Sequence, residues 1–240
     1  MSWVRFHPLT RIVIAVAIVL GVALVTGFER VGQALANISP RGSFETRCDA
    51  LPAGSIDVSL TPVGVVENMS LDYRALSQMT EAAQSSYRTV GLTRANFGHR
   101  SSIEVKGIED RFGHRACVTP RVHVELYFRH LTVYIARDYA DDPCKARVIR
   151  EHEQRHVDIY RAYAKDSLAS LPAQLRAAVG HAPYVASTVT EAQALVDRQI
   201  GKALDSFMRD SERVLAERQA EVDTPEEYAR VSSACGVATR

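Results

Sequence analysis

The fold turns on the stretch Arg147-Val148-Ile149-Arg150-Glu151-His152-Glu153-Gln154-Arg155-His156-Val157-Asp158-Ile159-Tyr160. Inside it is His-Glu-x-x-His: His152 and His156 lie four residues apart, with Glu153 directly after the first. On a helix that spacing puts both imidazoles on one face, one turn apart, within reach of one metal ion. The adjacent carboxylate can then act on a water that the ion activates, which is the residue pattern of a zinc-hydrolase active site. At about 100° per residue, Ile149, Ile159 and Tyr163 share the face of the two histidines. Arg147, Arg150, Gln154, Asp158, Arg161 and Lys165 point the other way. The wheel turns both histidines inward and sets Glu153 at the edge of the packed face, beside Tyr160 and Ala164.

Toward the C-terminus the reading is helical. Asp141-Asp142-Pro143 is a helix-start signal, with acidic groups at the positive end of the dipole and a proline in the first turn. The spacing predicts a helix over residues 143–168, with Leu171-Pro172 ending it or starting a short one, and a loop at residues 180–183. A second long helix is expected over residues 187–221, capped by Ser187 or Thr188. Its apolar stripe is Ala192, Val196, Ile200, Ala203, Phe207 and Val214, packed antiparallel on the first helix. Pro225 breaks that pattern, and Glu226-Glu227-Tyr228 begins a short final turn.

Upstream the pattern has period two. Residues 55–63, 90–97 and 102–108 read as strands, with a helical pattern at residues 70–88 and a turn at Gly113. Val122, Val124, Leu126 and Phe128 share one face of a run at residues 121–128, and a second run follows at residues 131–136. Only Arg129-His130 separate the two runs, which predicts a tight hairpin. His123 alternates outward, toward solvent or a substrate groove, and Tyr160 and Tyr163 read as core. The expected fold is α+β and zincin-like: a small antiparallel sheet, then the active-site helix, then the second long helix. This domain spans residues 55–240, after a linker at residues 37–54.

The N-terminus adds a membrane segment at residues 1–36. Arg5 and Arg11 precede Ile12 to Phe28, a run without charge. It is long for a secretory signal and near the lower limit of about 20 residues for a spanning helix. Ala34-Leu35-Ala36 is an acceptable cleavage site. A signal-anchor and a cleaved signal peptide are both compatible with it, and both place the rest of the chain outside the cytoplasm. The two locations that follow are a bacterial inner-membrane protein with a periplasmic domain and a secreted or periplasmic one.

Four cysteines, Cys48, Cys117, Cys144 and Cys235, all lie beyond the apolar run. An even count in an exported domain predicts two disulfides. Of the three pairings, Cys48–Cys117 with Cys144–Cys235 is the one expected; the second would tie the C-terminal tail to the start of the histidine helix. A net charge of +1 on 240 residues, with both signs mixed along the chain, argues against a general electrostatic grip on nucleic acid. With 46% hydrophobic and 24% charged residues the chain reads as globular.

Zinc needs three protein ligands and an open position. Three and six residues after His156 stand Ile159 and Ala162, not the glycine and histidine of the metzincin extension. The third ligand is sought among Asp197, near the stripe of the second helix, Glu226 and Glu227, which a Cys144–Cys235 bridge would bring close; His181 is a further option.

Three stretches together resemble a family of uncharacterised, exported bacterial proteins regarded as zinc-dependent proteases. They are LTVYIARDY followed by DPCKARVIREHEQRHVDIY (residues 131–160), VGLTRA (residues 90–95) and EVDTPEEY (residues 221–228). The likeness covers roughly residues 55–235, and its specific part is His-Glu-x-x-His. It implies His152 and His156 as ligands and Glu153 as the base. Members of the family end in an Asp-x-x-Thr-x-His-Gly-like stretch; here residues 223–228 lack the histidine. The function expected is an extracytoplasmic, zinc-dependent peptidase that hydrolyses peptide bonds of a protein or peptide substrate. The alternative is a non-enzymatic envelope protein whose histidine helix is structural or only binds metal.

Overall fold

A computed structural model of the chain describes residues 42–80, 88–180 and 183–236. The N-terminal apolar segment and His181 therefore lie outside the described residues, as does part of the helical pattern at residues 70–88. The chain divides into two units, residues 1–47 and 48–240. Among the described residues no helix is long and apolar enough to cross a membrane. The elements in order are helix α1 (Phe44–Asp49), strands β1 (Ser55–Leu60) and β2 (Val66–Asn68) and helix α2 (Tyr73–Gln78). Strands β3 (Gly91–Asp110) and β4 (Arg115–Ile135) follow, then a 3-10 turn (Arg137–Tyr139) and helix α3 (Pro143–Val179). Strand β5 (Tyr184–Ala186) and helices α4 (Val189–Ala220) and α5 (Pro225–Ser233) complete the fold. Helix α1 falls inside the stretch read as a linker.

The expected hairpin at Arg129-His130 does not form; both runs belong to the single strand β4. Its antiparallel partner β3 shows why the pattern misleads. Ala95 pairs with Leu131 and Phe97 with Phe128, so Arg129 and His130 together oppose Asn96 alone. Two residues against one is a β-bulge, and it shifts the inward parity of a strand by one. Val122, Val124, Leu126 and Phe128 are buried before the bulge, and Leu131, Val133 and Ile135 after it. A turn would have needed glycine or asparagine with positive φ, which Arg129-His130 do not supply.

The sheet is also mixed rather than antiparallel. β3 covers one edge of β4 along its length. The other edge is shared in succession by β5, antiparallel at Ala116–Val118, β1, parallel at residues 121–126, and β2, parallel at residues 132–134. Strands β1 and β2 reach β4 over connections long enough to return in the same direction, which short hairpin loops cannot do. The outward face is polar: exposed His123 is 2.8 Å from Asp57 across the β1–β4 pair.

Helices cover the inward face, and the bulge divides the core in two. Val122, Val124 and Leu126 pack with Leu171, Leu175 and Val179 of α3 and Val196, Ile200, Leu204 and Phe207 of α4. Leu131, Val133 and Ile135 pack with Ala146, Val148, Ile149 and Val157 of α3 and Val231 of α5. Helix α3 runs to Val179, past Pro172, where an end was expected. An interior proline costs about 3 kcal/mol. Leu171 and Leu175, both fully buried on either side of it, each recover about 1.5–3 kcal/mol by burial, so packing carries the helix through.

Both disulfides pair as expected, Cys48–Cys117 with Cα atoms 5.8 Å apart and Cys144–Cys235 with 6.0 Å. The second, together with Lys145 Nζ donating to the carbonyls of Val231 (2.9 Å) and Ser232 (2.8 Å), holds α5 against the start of α3. Replacing Cys144 and Cys235 together by serine is expected to lower stability by about 2–4 kcal/mol. Urea unfolding of both proteins without reductant measures it, and matching midpoints would contradict it.

Candidate metal centre

Helix α3 starts at Pro143, and the Asp142 side chain accepts from the Lys145 backbone N–H at 2.9 Å. Two turns later it presents His152, Glu153 and His156 to the interior, with exposures of 7, 3 and 8%. Both imidazoles are oriented from behind. His152 Nδ1 lies 3.2 Å from Glu227 Oε1, and His156 Nδ1 bonds Gln219 Oε1. Gln219 Nε2 also donates to the His156 carbonyl at 3.3 Å. Glu227 and Gln219 can accept from the two Nδ1 atoms, and Arg155 Nη2 also lies 3.2 Å from His152 Nδ1; in the Nδ1–H tautomer the Nε2 lone pairs are the ones available to a metal.

The two Nε2 atoms converge with Asp223, which lies between α4 and α5. They are 3.2 Å from each other, and each is 3.3 Å from Asp223 Oδ1. Ligand atoms about 2.0–2.1 Å from a tetrahedral ion stand about 3.3 Å apart, so these separations match one face of such a coordination sphere. The donor set also fits: two neutral imidazoles and a carboxylate suit a divalent first-row ion. His152, His156 and Asp223 could therefore hold a metal ion, and no other such group occurs among the described residues.

The surroundings favour an ionised Asp223 and also a protonated His156, so protons compete with a metal at this set. Burial works against an ionised Asp223, but hydrogen bonds from His152, His156 and Tyr228 outweigh it and hold the carboxyl well below the usual range. Burial also opposes a charged His156, yet its bonds to Asp223 and Gln219 raise its pKa. Burial pushes Glu153 up despite the Thr93 hydroxyl at 2.7 Å. Burial, then the Asp223 charge, pushes the Tyr228 hydroxyl up to about 12, so it stays a proton donor. The Tyr228 ring is tilted against His152 with centroids 6.1 Å apart. Around Glu227 stand Arg155 and Arg230, the latter donating from Nε at 2.8 Å and Nη2 at 2.7 Å.

Metal and protons compete for His156 while Asp223 is already ionised. Metal content after dialysis is thus expected to fall as the pH is lowered into the range where His156, its pKa raised above the ordinary imidazole value, takes up a proton. Loading that is flat from pH 8 to about pH 5 would contradict imidazole ligation.

Several expected placements change. Glu153 is not at the rim but is the most buried of the three motif residues, because the start of β3 passes over it. Asp197 and Glu226 are exposed and stand outside the cluster. Glu227 is at the site, but on the Nδ1 side of His152, as an orienting partner rather than a third ligand. The level of the histidines explains Asp197. Tyr163 meets Ser211 and His156 meets Gln219, so the end of α4 stands opposite the motif. The stretch of α3 past residue 168 adds about 16 Å of helix and moves the middle of α4 away. Asp223 and Tyr228 were missed as site residues, although both fall in the stretch EVDTPEEY. Their signal was the helix start at Thr224-Pro225 directly after α4, a reversal that aims Asp223 back at α3. Compared with known protein families, curated proteins and solved structures, the chain shows no match.

Proposed function

We propose that this chain is an extracytoplasmic, zinc-dependent peptidase built on a zincin-like active-site helix. The observation that carries the reading is the convergence of His152 Nε2, His156 Nε2 and Asp223 Oδ1, a cluster whose charges act on the buried Glu153 carboxylate. Zinc held by those three atoms would leave a fourth position open and supply the Lewis acidity that brings a water's pKa to about 7. Glu153 is the base that takes the proton of the attacking water and passes it to the leaving amine. Tyr228, which stays protonated beside the cluster, would donate to the oxygen of a scissile carbonyl by turning its hydroxyl away from Asp223. Glu227 and Gln219 hold the imidazoles in register. The charge-free segment behind Arg5 and Arg11 and the two disulfides support a place outside the cytoplasm, on the inner membrane facing the periplasm or secreted.

The test is cleavage of quenched-fluorescent casein by the full chain, before and after stripping with 1,10-phenanthroline, and again after adding zinc. Loss on stripping and recovery with zinc are expected. A second reading, a non-enzymatic envelope protein that only holds metal, is favoured by the 3% exposure of Glu153. One zinc per chain without casein cleavage would decide for that reading.

A further inference from the structure

The stretch Val90-Gly91-Leu92-Thr93-Arg94-Ala95 leads into β3, the strand that passes over Glu153. Gly91 and Thr93 point to the same side of β3, and pairing to Ile135 and Val133 of β4 fixes the backbone beneath them. Both meet Glu153. Thr93 Oγ1 is 2.7 Å from Glu153 Oε2 and 3.2 Å from the Glu153 carbonyl oxygen. A Cβ on Gly91 would collide with Glu153 Oε1, and would lie 2.6 Å from Ile149 Cγ2 and 3.0 Å from Glu153 Cδ. No positive φ requires a glycine there; the space does.

We infer that Gly91 and Thr93 are positioning residues for Glu153: the threonine hydroxyl occupies Oε2, and the missing side chain at position 91 leaves room for Oε1, the oxygen left to take the proton. The inference rests on the peptidase reading for its catalytic meaning, but the cradle itself does not depend on it. A carboxylate turning freely about its last bond would present either oxygen at any angle. Fixing one oxygen by a hydroxyl and confining the other by a close backbone leaves one geometry for proton transfer, and such alignment governs how much a base contributes. A role in packing alone predicts no dependence on the hydroxyl beyond stability.

The experiment has two arms on the full chain. In the first, kcat and KM for quenched-fluorescent casein are measured for Thr93→Val, Thr93→Ser and Gly91→Ala. Thr93→Val, close to isosteric, is expected to lose about 10–100-fold in kcat with KM within about threefold. Thr93→Ser is expected to keep kcat within about threefold, because it restores the hydroxyl. Gly91→Ala should lose kcat with the hydroxyl intact, by displacing the other oxygen. In the second arm, melting of the metal-free protein is compared for Thr93→Val, Glu153→Gln and the double variant. If Thr93 and Glu153 touch, the double variant departs from the sum of the singles. Thr93→Val with wild-type kcat, or additive melting shifts, would overturn the inference. If the wild-type chain carries zinc but leaves casein intact, the peptidase reading fails and the catalytic role falls with it. The melting comparison then reports separately whether the contact exists.

Discussion

Replacing Glu153 by glutamine is expected to leave the metal content unchanged and to lower casein hydrolysis by about 10²–10⁴-fold, the range a positioned acid–base group contributes. The amide keeps the shape of the side chain and can still accept from Thr93 Oγ1, now 2.7 Å from Oε2. It cannot take a proton from water. The same substitution makes a second, opposite prediction for stability. Burial raises the Glu153 pKa in the folded chain, so the fold favours the neutral form, and the stability this group contributes at low pH is lost as the pH rises through its folded pKa. At pH 7 an uncharged amide escapes that loss. The metal-free Glu153→Gln protein should therefore melt no lower than wild type. A gain in stability with a loss of turnover is what a buried catalytic carboxylate predicts; undiminished hydrolysis by the variant would sink the assignment of the base.

The second large effect concerns the metal. At a free zinc concentration a thousand times the dissociation constant, binding to the folded state alone stabilises by about 4 kcal/mol. Wild-type protein is expected to show an upward melting shift of that order with zinc, reversed by chelator. His152→Ala and Asp223→Ala are each expected to show almost none, since each removes one of three converging ligand atoms. Asp223 is the sharper test, because it stands on a different segment from the histidine motif and shares no helix with it. Asp197→Ala, on the exposed face of α4, should shift as wild type does. Equal shifts in all of these proteins would place the ion elsewhere.

Much of this arrangement could be read from local chemistry. The start of α3 at Pro143, the cap of α4 at Thr188 and the inward turn of both histidines follow from capping residues and helical period. That there are two disulfides follows from four cysteines beyond the apolar run; which cysteines pair is set by the fold. What misled was always a decision that local chemistry leaves open. The parity change after Phe128 has two explanations, a turn and a bulge, and only the partner strand chooses: Asn96 opposite two residues makes it a bulge. Pro172 signals a helix end until the burial of Leu171 and Leu175 is known. That one error propagated, because the level at which α4 passes the histidines depends on how far α3 runs. Asp197 looked central for this reason, while Asp223, just beyond the last turn of α4, is the residue that arrives.

The Cys144–Cys235 bridge and the candidate metal site are nested closures of one loop. The bridge joins residues 91 apart in sequence, and the contact from His152 to Glu227 spans 75 residues within it. Loop-closure entropy grows only as the logarithm of length, and a loop already closed by the outer link leaves little further to lose when the inner one forms. The covalent link thus raises the effective concentration of Asp223 around the histidine pair, and by reciprocity a bound ion holds the two sulfurs together. The two closures therefore support each other by the same factor, and a chain kept reduced would be a poorer competitor for the ion.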